Sequence, residues 1–173
     1  EDELREGTIA MAVHSMKDMP AAMPQGLTLA APPQREDPSD VLVTPHNVAG
    51  IAALRKGAVI ATGSKRRAYQ LTRLRPDIQI VGIRGNVDTR LRKMKEQKLD
   101  GIILAAAGMR RIGVYTSDAY HCTPLDPADF ICAPAQGILA VEIREDNALV
   151  ADLIASVCDE RARIQMQAER GFR

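Results

Sequence analysis

The sequence predicts an α/β protein in which one small α/β domain is inserted into another. Short apolar runs alternate with amphipathic helical stretches between residues 41 and 112. Two proline-rich stretches, 32–40 and 122–134, flank that block, and strand- and helix-like segments resume on either side. Alternation of strands with helices implies right-handed crossovers and a mostly parallel sheet.

Residues 8–13 form a short strand that runs into a loop bracketed by Pro20 and Pro24, since proline removes a donor and restrains its predecessor. Residues 27–31 form a second strand, and the polar, proline-rich segment after it reads as a crossing between domains. Within the block, 41–44 is a strand, and Asn47 is placed to cap a helix reaching Leu54. Strand 58–62 leads into helix 64–75, which Pro76 stops. Strand 78–83 leads into helix 86–98, and strand 101–106 into a helical turn at 109–112. Past the second linker, 138–143 is a strand and 147–172 holds one or two helices.

The composition excludes several classes. The chain has 173 residues, 46% hydrophobic and 26% charged, with net charge +1, as in an ordinary globular protein. A dedicated nucleic-acid binder would carry a large basic excess. No apolar run approaches the roughly 20 residues of a membrane-spanning helix. Glu1, Asp2 and Glu3 have the wrong sign for a signal peptide. Cys122, Cys132 and Cys158 are odd in number and lack zinc-type spacing, so no metal site or disulfide framework is expected, and a reducing cytoplasm fits. Aromatic content of 3%, with no Trp, argues against base-stacking platforms. Met16, Met19 and Met23 read as packing residues.

Charge is nevertheless clustered. Ligands of doubly wound sheets bind outside the carboxyl ends of the strands. Each strand end of the block delivers cations: Lys65, Arg66 and Arg67 beside Ser64, then Arg84 and Arg90, then Arg110 and Arg111. Helix N-termini at the same edge add backbone donors, and arginine forks match carboxylates or phosphates. The expectation is a cleft for a polyanion. Gly85 has two readings, a turn needing unusual backbone angles or a close approach to the ligand. No nucleotide-binding glycine pattern is present.

Asp18, beside Lys17 in the loop after the first strand, is an isolated turn aspartate by the ordinary reading. Among cations it would stay ionised and could stabilise positive charge developing on a substrate. His14 reads as a structural histidine.

These residues carry a resemblance. Residues 12–20 (AVHSMKDMP) are similar to the porphobilinogen deaminase (hydroxymethylbilane synthase) segment AVHSMKDVP, 62–67 (TGSKRR) to its TSSLRR, and 83–91 (IRGNVDTRL) to its LRGNVxTRL. Residues 100–113 resemble its DAIILAxAGLxRLG, 135–142 its GQGxLAVE, and 168–170 its AER, all in the family's order. The resemblance implies two periplasmic-binding-protein-like (type II) domains, the first incomplete, plus the start of a third α/β domain. The divisions would be 1–35 with 133–150, then 38–128, then 151–173. It implies a cytoplasmic, monomeric transferase of tetrapyrrole (heme) biosynthesis. The reaction would join four porphobilinogen units into hydroxymethylbilane with release of ammonia, on a covalent dipyrromethane cofactor.

On that resemblance Asp18 is the catalytic carboxylate. Ser15, Lys17, Thr62, Ser64, Arg66, Arg67, Arg84, Gly85, Arg90, Arg111 and Gln136 bind the carboxylates of substrate and cofactor. The cysteine that carries the cofactor is expected beyond Arg173, and Cys122, Cys132 and Cys158 lack its Gly-Gly-Cys context, so the 173 residues alone are expected to be inactive. Departures from the family pattern are Gly63, Lys65, Asp88 and Ala135. The rival reading is a non-catalytic anion-binding module of periplasmic-binding-protein type.

Overall fold

A computed structural model describes residues 1–171. In chain order the elements are α1 (Asp2–Arg5), β1 (Ala12–Ser15), a 3-10 turn (Met16–Asp18), β2 (Leu27–Leu29) and β3 (Asp40–Thr44). A second 3-10 turn (Ile51–Ala53), β4 (Val59–Ala61), α2 (Lys65–Leu74), β5 (Gln79–Val81) and α3 (Val87–Glu96) follow. The chain then forms β6 (Gly101–Ala105), α4 (Ala106–Arg111), β7 (His121–Pro124), β8 (Leu139–Arg144), α5 (Ala148–Ala155) and α6 (Glu160–Arg170). It divides into two compact units, Glu1–Pro38 with Ala133–Arg173, and Ser39–Cys132.

The Ser39–Cys132 unit is built on a five-stranded sheet in the order β5-β4-β6-β3-β7. β4 runs parallel to β5 and β6, while β3 is antiparallel to both β6 and β7. The sheet is therefore mixed, and the parallel character expected from the sequence is confined to β5, β4 and β6. Side chains alternate between two cores, as the two-residue period of a strand requires. Val41, Val43, Ile102 and Leu104 pack with Leu91, Met94 and Met109. Leu42, Ile60 and Ile103 pack with Leu71, Ile78 and Phe130. All five residues of β3 are buried, and its three inner residues, Val41, Leu42 and Val43, are apolar on both faces of the sheet.

Local chemistry sets the helix ends. Ser64 Oγ accepts from Arg67 N to cap α2, and Asn86 Oδ1 accepts from Thr89 N at 2.9 Å to cap α3. The chain leaves α2 at Arg75, just before Pro76, where a helical backbone is disfavoured. Two sequence expectations fail here. The stretch after Asn47 forms only the 3-10 turn Ile51–Ala53, entered through Gly50 at φ 97°. Its carbonyls are taken by Arg75, whose guanidinium donates to Ile51, Ala52 and Leu54 O, so a distant side chain replaces the bonds an α-helix would make. The second proline-rich stretch also begins as a strand. β7 pairs with β3 at the sheet edge, where Pro124 is tolerated.

The other unit holds a three-stranded antiparallel sheet, β1-β8-β2, with the apolar β8 in the centre. β1 starts later than expected because Thr8 and Ile9 donate their N–H groups to Glu3 O, finishing α1 rather than entering the sheet. Met16, Met19, Ala135, Ile138 and Ala140 form its core on one side, with Met23 and Met166 against it. Asn147 and Asp159 cap α5 and α6. The expected end of that helical region at Phe172, and the last two residues of the expected 151–173 segment, lie outside the described residues.

Candidate functional site

β1 ends at Ser15 and the chain tightens at once into the Met16–Asp18 turn. The turn is anchored from beneath. Met16 and Met19 are buried, and Met16 N donates to Ile138 O at 3.0 Å. With its neighbours fixed inward, Asp18 is presented outward and exposed; its carboxylate and the exposed Ser15 hydroxyl have no partner among the described residues. From α6, Arg170 donates to Pro20 O and Ala21 O at 2.9 Å each, holding the far side of the loop. His14 meets Glu142 Oε2 at 3.0 Å, and the other Glu142 carboxylate oxygen is buried without a partner among the described residues.

Lys17 is held as well. Its Nζ donates to Gln136 Oε1 at 3.3 Å, and the buried Gln136 donates its Nε2 to Pro38 O at 2.7 Å. Arg35 extends this network, giving its Nε–H to Gln136 O at 2.9 Å and a two-pronged contact to Glu169 of α6. Glu169 also accepts from Ala135 N at 2.5 Å. Gln136 thus sits between two neighbours with positive φ, of which only Ala135 is strained. Ala135 has φ 59°, a left-handed backbone that glycine adopts without cost, and Gly137 has φ 90°. A Cβ on Gly137 would collide with Glu36 O. In sequence Arg35 has no assigned role and Glu169 is marked only within the 168–170 motif; the two lie 134 residues apart, so no local pattern could pair them.

In the Ser39–Cys132 unit, the carboxyl ends of β4, β5 and β6 lie at one edge because these strands are parallel. Thr62 is nearly buried, and its Oγ1 accepts from Ser64 N at 3.2 Å, so the hydroxyl pair shapes the start of α2. After β5, Arg84 is exposed and its guanidinium has no partner among the described residues. Gly85 has φ 124°, and a Cβ there would stand 2.7 Å from Thr89 Cγ2. The turn reading of this glycine therefore has a definite steric cause. Arg90 folds back onto the same turn, its Nε–H reaching Gly85 O at 2.6 Å, while Lys93 Nζ reaches Arg84 O at 3.1 Å.

Arg66 and Arg67 are tied down by a residue the sequence reading passed over. Asp40, fully buried at the start of β3, accepts from Arg67 Nη2 at 2.6 Å and from Arg66 Nη2 at 2.8 Å. Its only signal in sequence is a carboxylate leading a buried apolar strand. Arg110 and Arg111 lie on a helix, as the expected turn at 109–112 requires. α4 begins directly at Ala106, so both arginines fall in its last turn rather than at the end of β6. Cations there complement the negative helix end, and Arg110 lies over the Tyr115 ring at 4.3 Å.

Among the described residues no cluster could hold a metal ion, and no helix is long and apolar enough to cross a membrane. The three cysteines are partly buried, and burial pushes the Cys122 thiol up.

Comparison with known proteins adds to this geometry. Residues 1–152 match the family described as "Porphobilinogen deaminase, dipyromethane cofactor binding domain". The chain is 47% identical over 172 residues to the porphobilinogen deaminase of Clostridioides difficile (strain 630), covering 99% of this chain and 56% of that one. It is 48% identical over 172 residues to that of Syntrophobacter fumaroxidans, covering 99% and 54%. The chain thus spans little more than half the length of the relatives it matches. Among solved structures, the arginine-specific periplasmic binding protein STM4351 of Salmonella typhimurium aligns with TM-score 0.52 at 19% identity, covering 97% of this chain and 75% of that one. The BvgS periplasmic VFT2 domain of Bordetella pertussis aligns with TM-score 0.52 at 16% identity, covering 96% and 70%. These two likenesses concern the fold alone.

Proposed function

Because the chain belongs to the porphobilinogen deaminase family, we propose that it supplies the catalytic carboxylate and much of the carboxylate-binding surface of a hydroxymethylbilane synthase. The substrate is porphobilinogen, a pyrrole bearing acetate, propionate and aminomethyl groups. In each condensation the aminomethyl C–N bond breaks and ammonia leaves, giving a cationic methylene-pyrrolenine. The terminal pyrrole α-carbon of the growing chain forms the new C–C bond and then loses its proton.

The observation that carries this reading is the exposed Asp18 carboxylate, without a partner among the described residues, on a turn anchored by the buried Met16 and Met19. Such a group can accept the pyrrole N–H and stabilise the positive charge left when ammonia departs. A carboxylate about 4 Å from the cation contributes about 4 kcal/mol at an effective dielectric near 20, or about a thousandfold in rate. Lys17, held by Gln136, is suited to a substrate carboxylate, as are Ser15 and the second unit's Ser64, Arg66, Arg84 and Arg90. Thr62 and Gly85 shape the turns that carry these donors, and Arg67 anchors Arg66 through Asp40. Arg111, at the end of α4, is the member of the proposed set whose placement supports a ligand role least.

The donor chemistry of this edge, guanidinium groups and hydroxyls, fits the acetates and propionates of a dipyrromethane. When bound, dipyrromethane supplies the pyrrole carbon to which the first substrate is joined. Cys122 is a poor candidate for its attachment, since it is paired in β7 and its thiol is pushed up; we assign none of the three cysteines that role. The reading places the protein in the cytoplasm as a monomer acting on a small molecule, without nucleic acid or membrane, and gives no weight to a purely anion-binding module.

The test is turnover of porphobilinogen by the gene product that contains these residues, with and without Asp18→Asn. The variant should lose about 10²–10³-fold in kcat while keeping its fold. Near-normal kcat removes Asp18 from its role.

A further inference from the structure

We propose that Asp40, itself anchored by Arg67, is a positioning residue that fixes the guanidinium of Arg66 at the cationic edge; the inference rests on the reading that this edge takes substrate carboxylates. Neighbouring residues on a helix point about 100° apart and do not face one another. Arg66 and Arg67 are such neighbours at the start of α2, yet their guanidinium groups converge on one carboxylate. Asp40 Oδ1 takes Arg67 Nε at 3.1 Å and Nη2 at 2.6 Å, and Asp40 Oδ2 takes Arg66 Nη2 at 2.8 Å.

The two arginines are held differently. The Arg67 side chain is 6% exposed and also donates Nη1 to Ile103 O at 3.1 Å, so it is the buried anchor. The Arg66 side chain is 26% exposed, and its Nη1 donates to Ile131 O, which Gln70 holds from the other side with Nε2 at 3.0 Å. One arginine already neutralises the buried aspartate. The second leaves a net positive charge at the N-terminus of α2, where the helix dipole disfavours cations. That excess is unfavourable in the free protein and is relieved by an anion. Asp40 therefore does more than balance charge: it presents a half-exposed guanidinium whose conformational freedom has been removed before any ligand arrives.

Electrostatics and positioning predict opposite signs for Asp40→Asn. Removing a negative charge should tighten porphobilinogen binding if attraction alone matters. If Asp40 positions Arg66, affinity should fall about 3- to 10-fold, the cost of ordering a freed side chain on binding. Two measurements decide. Isothermal titration with porphobilinogen gives the affinity, and ¹⁵N–¹H spectra of the arginine side chains at low temperature report whether the Arg66 Nη–H signals, slowed in the unaltered protein, become fast-exchanging. Unchanged or tighter binding by folded Asp40→Asn, with Arg66 signals as before, overturns the proposal. Should that variant not fold, Asp40→Asn/Arg67→Met removes the buried anion and cation together; persistence of ordered Arg66 signals in it overturns the proposal equally. An unaltered protein that ignores porphobilinogen refutes the reading of the edge, while Asp40's hold on Arg66 is still decided by the spectra.

Discussion

Replacing Gly85 with alanine tests how the cationic edge is built. At φ 124° this residue lies beyond even the small left-handed region that other L-residues visit. A side chain in so sparsely populated a conformation costs about 1–3 kcal/mol. The new Cβ would also stand 2.7 Å from Thr89 Cγ2 and 2.9 Å from Thr89 Cβ, and the β-branched threonine in the first turn of α3 has little freedom to retreat. Overpacking of this kind adds about 1–3 kcal/mol, so a total loss of about 2–6 kcal/mol is expected. With a urea slope of about 2 kcal/mol/M, the unfolding midpoint drops by about 1–3 M. The assay is direct. The protein has no Trp, and Tyr69, Tyr115 and Tyr120, its three tyrosines, all fall in the Ser39–Cys132 unit, so tyrosine emission follows that unit alone. Adding Thr89→Ala should return part of the loss, because it removes the closer of the two clashing atoms. A midpoint for Gly85→Ala within about 0.3 M of the unaltered protein, or no recovery in the double variant, refutes the steric account.

Two further outcomes concern the frame around the site. Gly137→Ala should destabilise the other unit by at least about 1–3 kcal/mol from its φ of 90°, and the clash of the added Cβ with Glu36 O adds to that loss. Faster hydrogen exchange of the β8 amides would register this, and unchanged protection would count against it. Acid should weaken the Ser39–Cys132 unit. The Arg75 guanidinium, with help from Gly57 N–H, holds the Asp77 carboxyl well below the usual range. Burial would raise the Asp100 carboxyl, but the Arg55 fork and Val59 N–H outweigh it and hold that group low too. Groups depressed on folding contribute stability that is present above the unfolded carboxylate value near about 4 and is lost as pH falls through the folded values. The tyrosine-detected midpoint should stay level down to about pH 5 and decline below about pH 4. Asp77→Asn/Asp100→Asn should flatten that decline, and an unaltered slope contradicts the assignment.

Much of the frame was legible because its causes are local. Ser64 and Asn86 lie where helix caps belong, Pro76 follows the C-cap residue of α2, and the apolar runs of β3, β6 and β8 mark strands buried in their sheets. What the sequence misplaced depends on distant partners. The turn after Gly50 gives up its carbonyls to Arg75, more than twenty residues away. β7 exists because β3 offers it an edge, and β1 starts late because Glu3 O captures the preceding amides. The helical turn expected at 109–112 begins earlier, at Ala106, because α4 follows β6 without an intervening loop. At the candidate site, residue types were readable but their commitments were not. Nothing near residue 66 or 67 shows that both arginines share Asp40, and nothing near Gln136 shows that it joins Lys17 to Pro38.

Titrating ¹⁵N-labelled protein with porphobilinogen and mapping the amide shifts decides whether the proposed Asp18 turn and the proposed arginine edge each respond to a polycarboxylate pyrrole. Saturable changes should concentrate at residues 15–19, 62–67 and 83–90. Changes elsewhere, or none at millimolar porphobilinogen, would contradict the account.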